Sequence, residues 1–310
     1  MGKQYLGLGV ETTVGTAVAP TRYLEALTES IQLEQNYDRI ETLRSFSTQQ
    51  VVLLNRAVKG DSEILANYNG IGMLYKYLLG SVDTATGSVN THTFPSSAGI
   101  PSTDRIGSAL TVCVRRGAAL FWKYAGMKPV SLAHGFGTDQ ASRMTWGWLG
   151  QSAAFSTTGS DATSGSYPTL LPMSPSHASV SFDGAALVAR NVQINVENPL
   201  DEFYVLGTVD LGAEPDRNAV LKVTGTAEVA FSNTTQYDKF TAGSDVDVTV
   251  LSTNGTQSVR YNLDKCRITQ ATPHLNGRQR LIATYQFEAY YNSDATENFQ
   301  VVLVNSDATP

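Results

Sequence analysis

The chain is poor in the residues that most chemistry needs. Two cysteines in 310 residues, Cys113 and Cys266, form no disulfide framework, and both are expected to be reduced core thiols. Four histidines, His92, His134, His177 and His274, have no His, Cys or carboxylate at metal-ligand spacing. His134 and His274 lie near the ends of late strands and are expected to be hydrogen-bonded turn histidines. Only 16% of residues are charged, and the net charge is −6. That balance disfavours a protein that grips phosphates, because such a footprint is basic. No run approaches the ~18 apolar residues of a membrane span, and "MGKQYLGLGVETT" lacks a signal peptide's apolar core. These features lead us to expect a soluble protein made in a cytoplasm.

Familiar catalytic patterns are missing too. The glycines of "GLGVETTVG" are spaced wrongly for a dinucleotide loop, with no helix to follow. "GTDQAS" and "SPSHAS" lack the spacing of a nucleophile elbow. The carboxylates are scattered and define no hydrolase pair. Trp122, Trp146 and Trp148 could form a ligand platform, but strand alternation reads them as core.

What the chain has is glycine, 26 residues of it, and alternation. A 42% hydrophobic content with many turn residues predicts a mainly β globular fold. Residues 1–24 read as an N-terminal arm. "ESIQLEQ" alternates as a strand, and a polar loop follows over about 35–49. A second strand runs over about 51–65, with Val58, Gly60, Ser62 and Ile64 on one face. "NGIGMLYKYLLG" reads as a short helix stopped at Gly80. After a Ser/Thr/Gly/Pro-rich loop, strands are expected over 109–115, 119–124 and 128–134, then in "SRMTWGWLG". Residues 151–178 have linker composition.

The second half repeats this order. "RNVQINVEN" alternates, with "NVQINVE" overlying "SIQLEQN", and the polar loop "NPLDEFYVLGTVDLGAEPDRN" follows. "KVTGTAEVAFSNTT" overlies "AVKGDSEILANYNG", matching Val58 to Val223, Gly60 to Gly225 and Glu63 to Glu228. A helix "NTTQYDKFTAG" is expected, with Asn233 as N-cap and Gly243 as stop, then strands ending in "RLIATYQFEAYY". Several matches in one order predict a tandem duplication. The expected division is a 1–24 arm, units at 25–150 and 179–292 joined by a 151–178 linker, and a 293–310 C-terminal tail.

The polar faces of the matched strands carry Gln32, Glu34, Asp61 and Glu63, against Gln193, Asn195, Thr226 and Glu228. They are either a solvated outer face or the lining of a water-filled passage.

The arm "GVETTVGTAVAPTRYL", the "VKGDSE" strand, the helix "NGIGMLYKYLLG" and "THTFP…IPS…LTV" together resemble the tail tube proteins of long-tailed, siphovirus-like bacteriophages. The likeness is to the larger type with a GxExxxGTAxxPTR-like start. In the second half it rests on "VQINVEN", "VTGTAE" and the aromatic last strand. The resemblance implies two tandem β-sandwich or barrel domains, each with a short flanking helix, and a structural virion protein, not an enzyme. It implies no cofactor or metal. Rings would stack into a hollow tail tube through which DNA is ejected, and a doubled chain would close such a ring as a trimer with pseudo-sixfold symmetry. The eight polar residues named above would line the lumen. The loops would reach the next ring through Asp38, Arg39 and Arg44, and through Phe203, Tyr204, Val205 and Leu206. Implied partners are other copies of the chain, a tape-measure protein, tail terminator and distal tail or baseplate proteins, and double-stranded DNA passing without sequence-specific binding. No membrane partner is implied. The place would be the phage tail, after synthesis in the host bacterial cytoplasm. The rival reading is a two-domain β-sandwich adhesin or carbohydrate-binding module, with monomers and exposed aromatics.

Overall fold

Alternation governs the architecture. In "KVTGTAEVA" and "IATYQFEA" every second side chain is buried and its neighbours are not, as two-sided strands require. The structure, a computed structural model, describes residues 4–44, 46–97, 109–117, 120–156, 166–271, 273–274, 281–290 and 297–310. In order these form β1 (Tyr5–Val10), β2 (Arg22–Leu24), β3 (Ala26–Glu29), β4 (Gln32–Ile40), β5 (Gln50–Leu65), α1 (Gly72–Leu79), β6 (Asp83–Ala85), β7 (Asn90–Ser97), β8 (Leu110–Arg115), β9 (Phe121–Gly137), β10 (Arg143–Gly150) and β11 (Ser152–Ser156). Then come β12 (Ala178–Phe182), β13 (Ala185–Leu187), β14 (Ala189–Glu197), β15 (Lys222–Ala230), α2 (Thr235–Ala242), β16 (Asp245–Thr253), β17 (Ser258–Gln270), β18 (Pro273–His274), β19 (Ile282–Ala289) and β20 (Glu297–Asn305). The fold is mainly β, as the composition implied, and its strands join into one antiparallel sheet.

That sheet folds over itself because two long strands bend. The first part of β9 pairs with β8 and β11, and its second part with β10 and β14. Gly126 marks the bend: its φ is +66°, and a Cβ there would lie 2.6 Å from Gln151 Oε1, so glycine is needed. β17 does the same, pairing through Ser258–Asn262 with β20 and through Cys266–Gln270 with β19. One leaf therefore runs β4–β5–β10–β9–β14–β15–β19–β17. The facing strands form two groups, β2–β1–β8–β9–β11 and β13–β12–β16–β17–β20–β7–β6. The core between them includes Leu8, Leu74, Tyr75, Trp146, Phe182, Tyr261 and Phe287.

The two halves of the long leaf agree position by position. Gly60 and Gly225 lie opposite aromatic residues, Trp148 and Phe287. The register breaks between Gly147 and Trp148 skip Val130 of β9, and those between Ile268 and Gln270 skip Thr269 of β17. The breaks Leu110/Val112 and Val246/Val248 also stand at matching places, against Tyr124 and Leu263. Leu33 faces Val58 as Val196 faces Val223. "SIQLEQN" thus aligns two residues away from the overlay drawn on sequence, a shift that keeps every side chain on its face.

The two glycines are required for different reasons. Gly60 has φ +140°, and a Cβ would meet Ser30 O at 2.5 Å, whereas at Gly225 a Cβ would enter the Phe287 ring. Gly225→Val is expected to cost roughly 1–3 kcal/mol through overpacking, read as a lower urea midpoint.

Several expectations need adjusting. The arm is built in: β1 lies between β2 and β8. Glu11 clamps the turn that follows it, its carboxylate accepting from Gly15 N (2.7 Å), Thr111 Oγ1 (2.8 Å) and Gly126 N (2.9 Å). The strands expected over 119–124 and 128–134 are one strand, β9, because a bend does not end the pairing. The loop before β8 contains β6 and β7. β4 continues to Ile40 within the expected polar loop, and the expected tail supplies β20, held between β17 and β7. Both helices stop at left-handed glycines, Gly80 and Gly243, as read, but α2 is preceded by Thr234 at the N-cap while Asn233 Oδ1 accepts from Thr235 N. Part of the joint, 157–165, lies outside the described residues.

Candidate polar face and projecting loops

All eight polar residues singled out above share one face of the long leaf. Cross-strand neighbours lie on the same face, and one row reads Glu63–Thr145–Ala133–Asn195–Thr224–Glu288–Arg267. The next reads Gly135–Gln193–Thr226–Gln286–Gln270, and Asn191 links Gly137 to Glu228. Asp61 faces Gly147, Gln32 faces Lys59, and Glu34 faces Ala57. The middle of the face is made of small residues: a Cβ on Gly135 or Gly137 would touch nothing within 4 Å. Its cations are mostly engaged. Arg143 Nη1 lies 3.1 Å from Glu63 Oε1, and Lys59 Nζ lies 2.6 Å from Glu202 Oε1. Arg267 is held by Asp245 at 2.7 Å.

Two loops project beside this face. The β4–β5 hairpin leaves the core beyond Glu34, and Tyr37, Val51, Val52 and Leu54 are exposed. At its end Leu43 and Phe46 are 109% and 114% exposed, touching nothing that shields them. Asp38 and Arg39 pair with Val52 and Val51 along the hairpin, and Arg44 is exposed at its turn. The second loop, 198–218, instead lies across the first half. Arg56 pairs with Asp210 (Nε–Oδ1 2.6 Å), Lys59 with Glu202, and the nearly buried Lys128 with Glu214. A small apolar cluster of Ala57, Leu149 and Leu211, with Val130, Leu200 and Tyr204, holds the loop down. Phe203 and Leu206 remain exposed, Leu206 fully, while Tyr204 is tucked against the cluster. Sequence reading missed these ion pairs, since their partners are some 80 to 150 residues apart.

The cysteines and tryptophans follow their bland readings. Cys113 and Cys266 are buried and form no disulfide, and burial pushes the Cys266 thiol up. Trp146 and Trp148 are buried, and Trp122 lies between Arg116 and Phe155, so no tryptophan platform is presented. His134 is a core residue of β9, not a turn residue; the His274 side chain lies outside the described residues. A cavity of about 140 Å³ beside Phe136, Val180 and Val250 is lined, among the described residues, by no His, Cys or carboxylate. Among the described residues no group of three His, Cys, Asp or Glu could hold a metal, and no helix is long and apolar enough to cross a membrane.

A search of curated proteins found no match. The sequence does match a protein family over residues 2–289, and that family is described as "Phage tail tube protein".

Proposed function

Because the chain belongs to the phage tail tube protein family, we propose that three copies close into a ring of six like units and that the rings stack into the hollow tube of a siphovirus-like tail. The observation that carries this is the long leaf. Its strands β4–β5–β10–β9 are followed, edge to edge, by the like series β14–β15–β19–β17. A head-to-tail join that works once inside a chain can work again between chains, and it closes if the rotation allows. Closure removes the exposed edges that an open sheet keeps.

The matched glycines and bulges support a tandem duplication, with units at 25–150 and 179–292. The polar face would form the wall. Gln32, Glu34, Asp61, Glu63, Gln193, Asn195, Thr226 and Glu228 give it no basic track, so DNA can be ejected past it without adhering. Asp38, Arg39 and Arg44 on the hairpin, and Phe203 to Leu206 on the second loop, would meet the next ring. The wall does no chemistry and needs no cofactor. Other copies of the chain would be the main partner, with a tape-measure protein inside and terminator and distal tail proteins at the ends.

Electron microscopy of the expressed protein tests this. Rings of three chains, singly or stacked, are the expected result; rings of six chains, or monomers only, would sink it.

A further inference from the structure

The chain contains its own example of how one unit joins the next, the seam between β9 and β14. We propose that the edge of β17 in one copy pairs with the edge of β4 in another in the register of the β9–β14 seam, but over a shorter stretch, Thr269–Ala271 against Leu33–Gln35. This rests on the ring reading above and adds which residues meet and where pairing stops.

The internal seam sets Ser131 against Glu197, Leu132 against Val196 and His134 against Ile194, and Asn198 N donates to Val130 O at 2.7 Å. The matched bulges equate Val130 with Thr269 and Ser131 with Gln270. The matched pairs Leu33/Val58 and Val196/Val223 equate Leu33 with Val196, hence Glu34 with Glu197 and Gln35 with Asn198. Transferred between copies, Gln270 faces Glu34, Ala271 faces Leu33, and Gln35 N donates to Thr269 O. Among the described residues β4 pairs only with β5, so its other edge is open to a partner. A Gln270 amide against a Glu34 carboxylate offers a donor to an acceptor, with no like charges opposed.

The stopping point is built from side chains. Ser30 N donates to Asp61 O toward β5 (2.8 Å), so the next residue, Ile31, aims its backbone groups outward. Those groups are already used. Ile31 N donates to Glu29 Oε2 (3.1 Å), and Ile31 O accepts from Arg116 Nη2 (2.5 Å) and Tyr124 Oη (2.9 Å). Glu29 also holds Arg116 through two hydrogen bonds, at 2.7 and 2.6 Å. The residue that the register places opposite Ile31 is Pro273, which equates with His134 through their partners Ala283 and Met144. Proline has no N–H to give. The missing donor thus falls where the acceptor is already occupied. Inside the chain the same place is a regular strand pair, His134 with Ile194. The seam between copies is therefore the shorter of the two, and a blocked edge end protects the single chain from unspecific strand addition.

The test is disulfide trapping in the assembled protein. Glu34→Cys with Gln270→Cys is expected to give covalent trimers on oxidation, and Gln32→Cys with Gln270→Cys, slipped by two residues, at least tenfold less. Gln35→Pro removes a donor that no strand among the described residues uses, and is expected to leave a folded chain that does not close rings. If wild-type rings form but the slipped pair traps as well as or better than the first, or Gln35→Pro rings are normal, the register is wrong while the ring reading stands. If the wild type forms no rings, the ring reading itself fails.

Discussion

A chain carrying Leu43→Asp and Phe46→Asp is expected to fold and form rings but not to grow tubes. Both side chains lie entirely in solvent, so no contact among the described residues depends on them, and surface changes of this kind usually alter stability by less than ~0.5 kcal/mol. Stacking is another matter. Burying a leucine or phenylalanine contributes about 1.5–3 kcal/mol each, and an aspartate in the same place must give up its hydration. In the stacking proposed above, losing both tips would remove roughly 3–6 kcal/mol per subunit contact, which would raise the subunit concentration needed for growth by about two to four powers of ten. Sedimentation and negative-stain images at matched concentration, with melting curves as the folding control, give the answer. Tubes of normal length from the double variant would remove the hairpin from the ring-to-ring contact. The same exchange at Phe203 and Leu206 asks whether the second loop shares the task. Its base is fixed by Arg56–Asp210, Lys59–Glu202 and Lys128–Glu214, so its tip can change without releasing it.

What could be read from the sequence was whatever depends on neighbours in the chain. Alternation placed β5, β14, β15 and β19 on the correct faces, and the glycine stops of α1 and α2 were plain. The polar face could be assembled because strand parity is preserved even when an overlay is two residues out, as it was for "SIQLEQN". What could not be read depends on distant partners. β7 contains Pro95, and the strand exists because β20, some two hundred residues away, pairs with it. β9 reads as two strands parted at Ala125–Met127, because a bend and an end look alike without the partners on either side. Glu11 read as one letter of a motif, and only the fold brings Thr111 and Gly126 to its carboxylate. Of the second loop's apolar residues, Tyr204 is held against Ala57 and Leu149, which no local pattern could have shown.

Acid is expected to loosen the chain through one histidine. His134 is fully buried where the halves meet. Ser142 Oγ donates its only proton to Gly135 O (2.6 Å), so it accepts from His134 Nε2–H (2.7 Å). His134 Nδ1 then accepts from Tyr261 Oη (2.5 Å), which in turn accepts from Tyr75 Oη. Every group is satisfied with the imidazole neutral. A second proton would have to displace Tyr261's, and among the described residues the surrounding elements offer no carboxylate: α1 presents Tyr75, β10 Met144, β14 Ile194 and β17 Tyr261. Burial accordingly lowers the His134 pKa to about 3. The folded value is below the unfolded one, near 6.5, so the contribution is complete above pH 6.5 and is lost as the pH falls toward 3, at about 1.4 kcal/mol per unit. Between pH 7.5 and 4.5 this histidine alone should remove roughly 3 kcal/mol. His134→Phe strands Tyr261 and Ser142 and should cost about 2–4 kcal/mol at pH 7.5, but it should flatten the acid limb by that same 3 kcal/mol. Urea unfolding of both proteins at the two pH values separates the terms, since the carboxylates titrate in each. An equal loss of stability in the two would show that His134 does not set the acid limit.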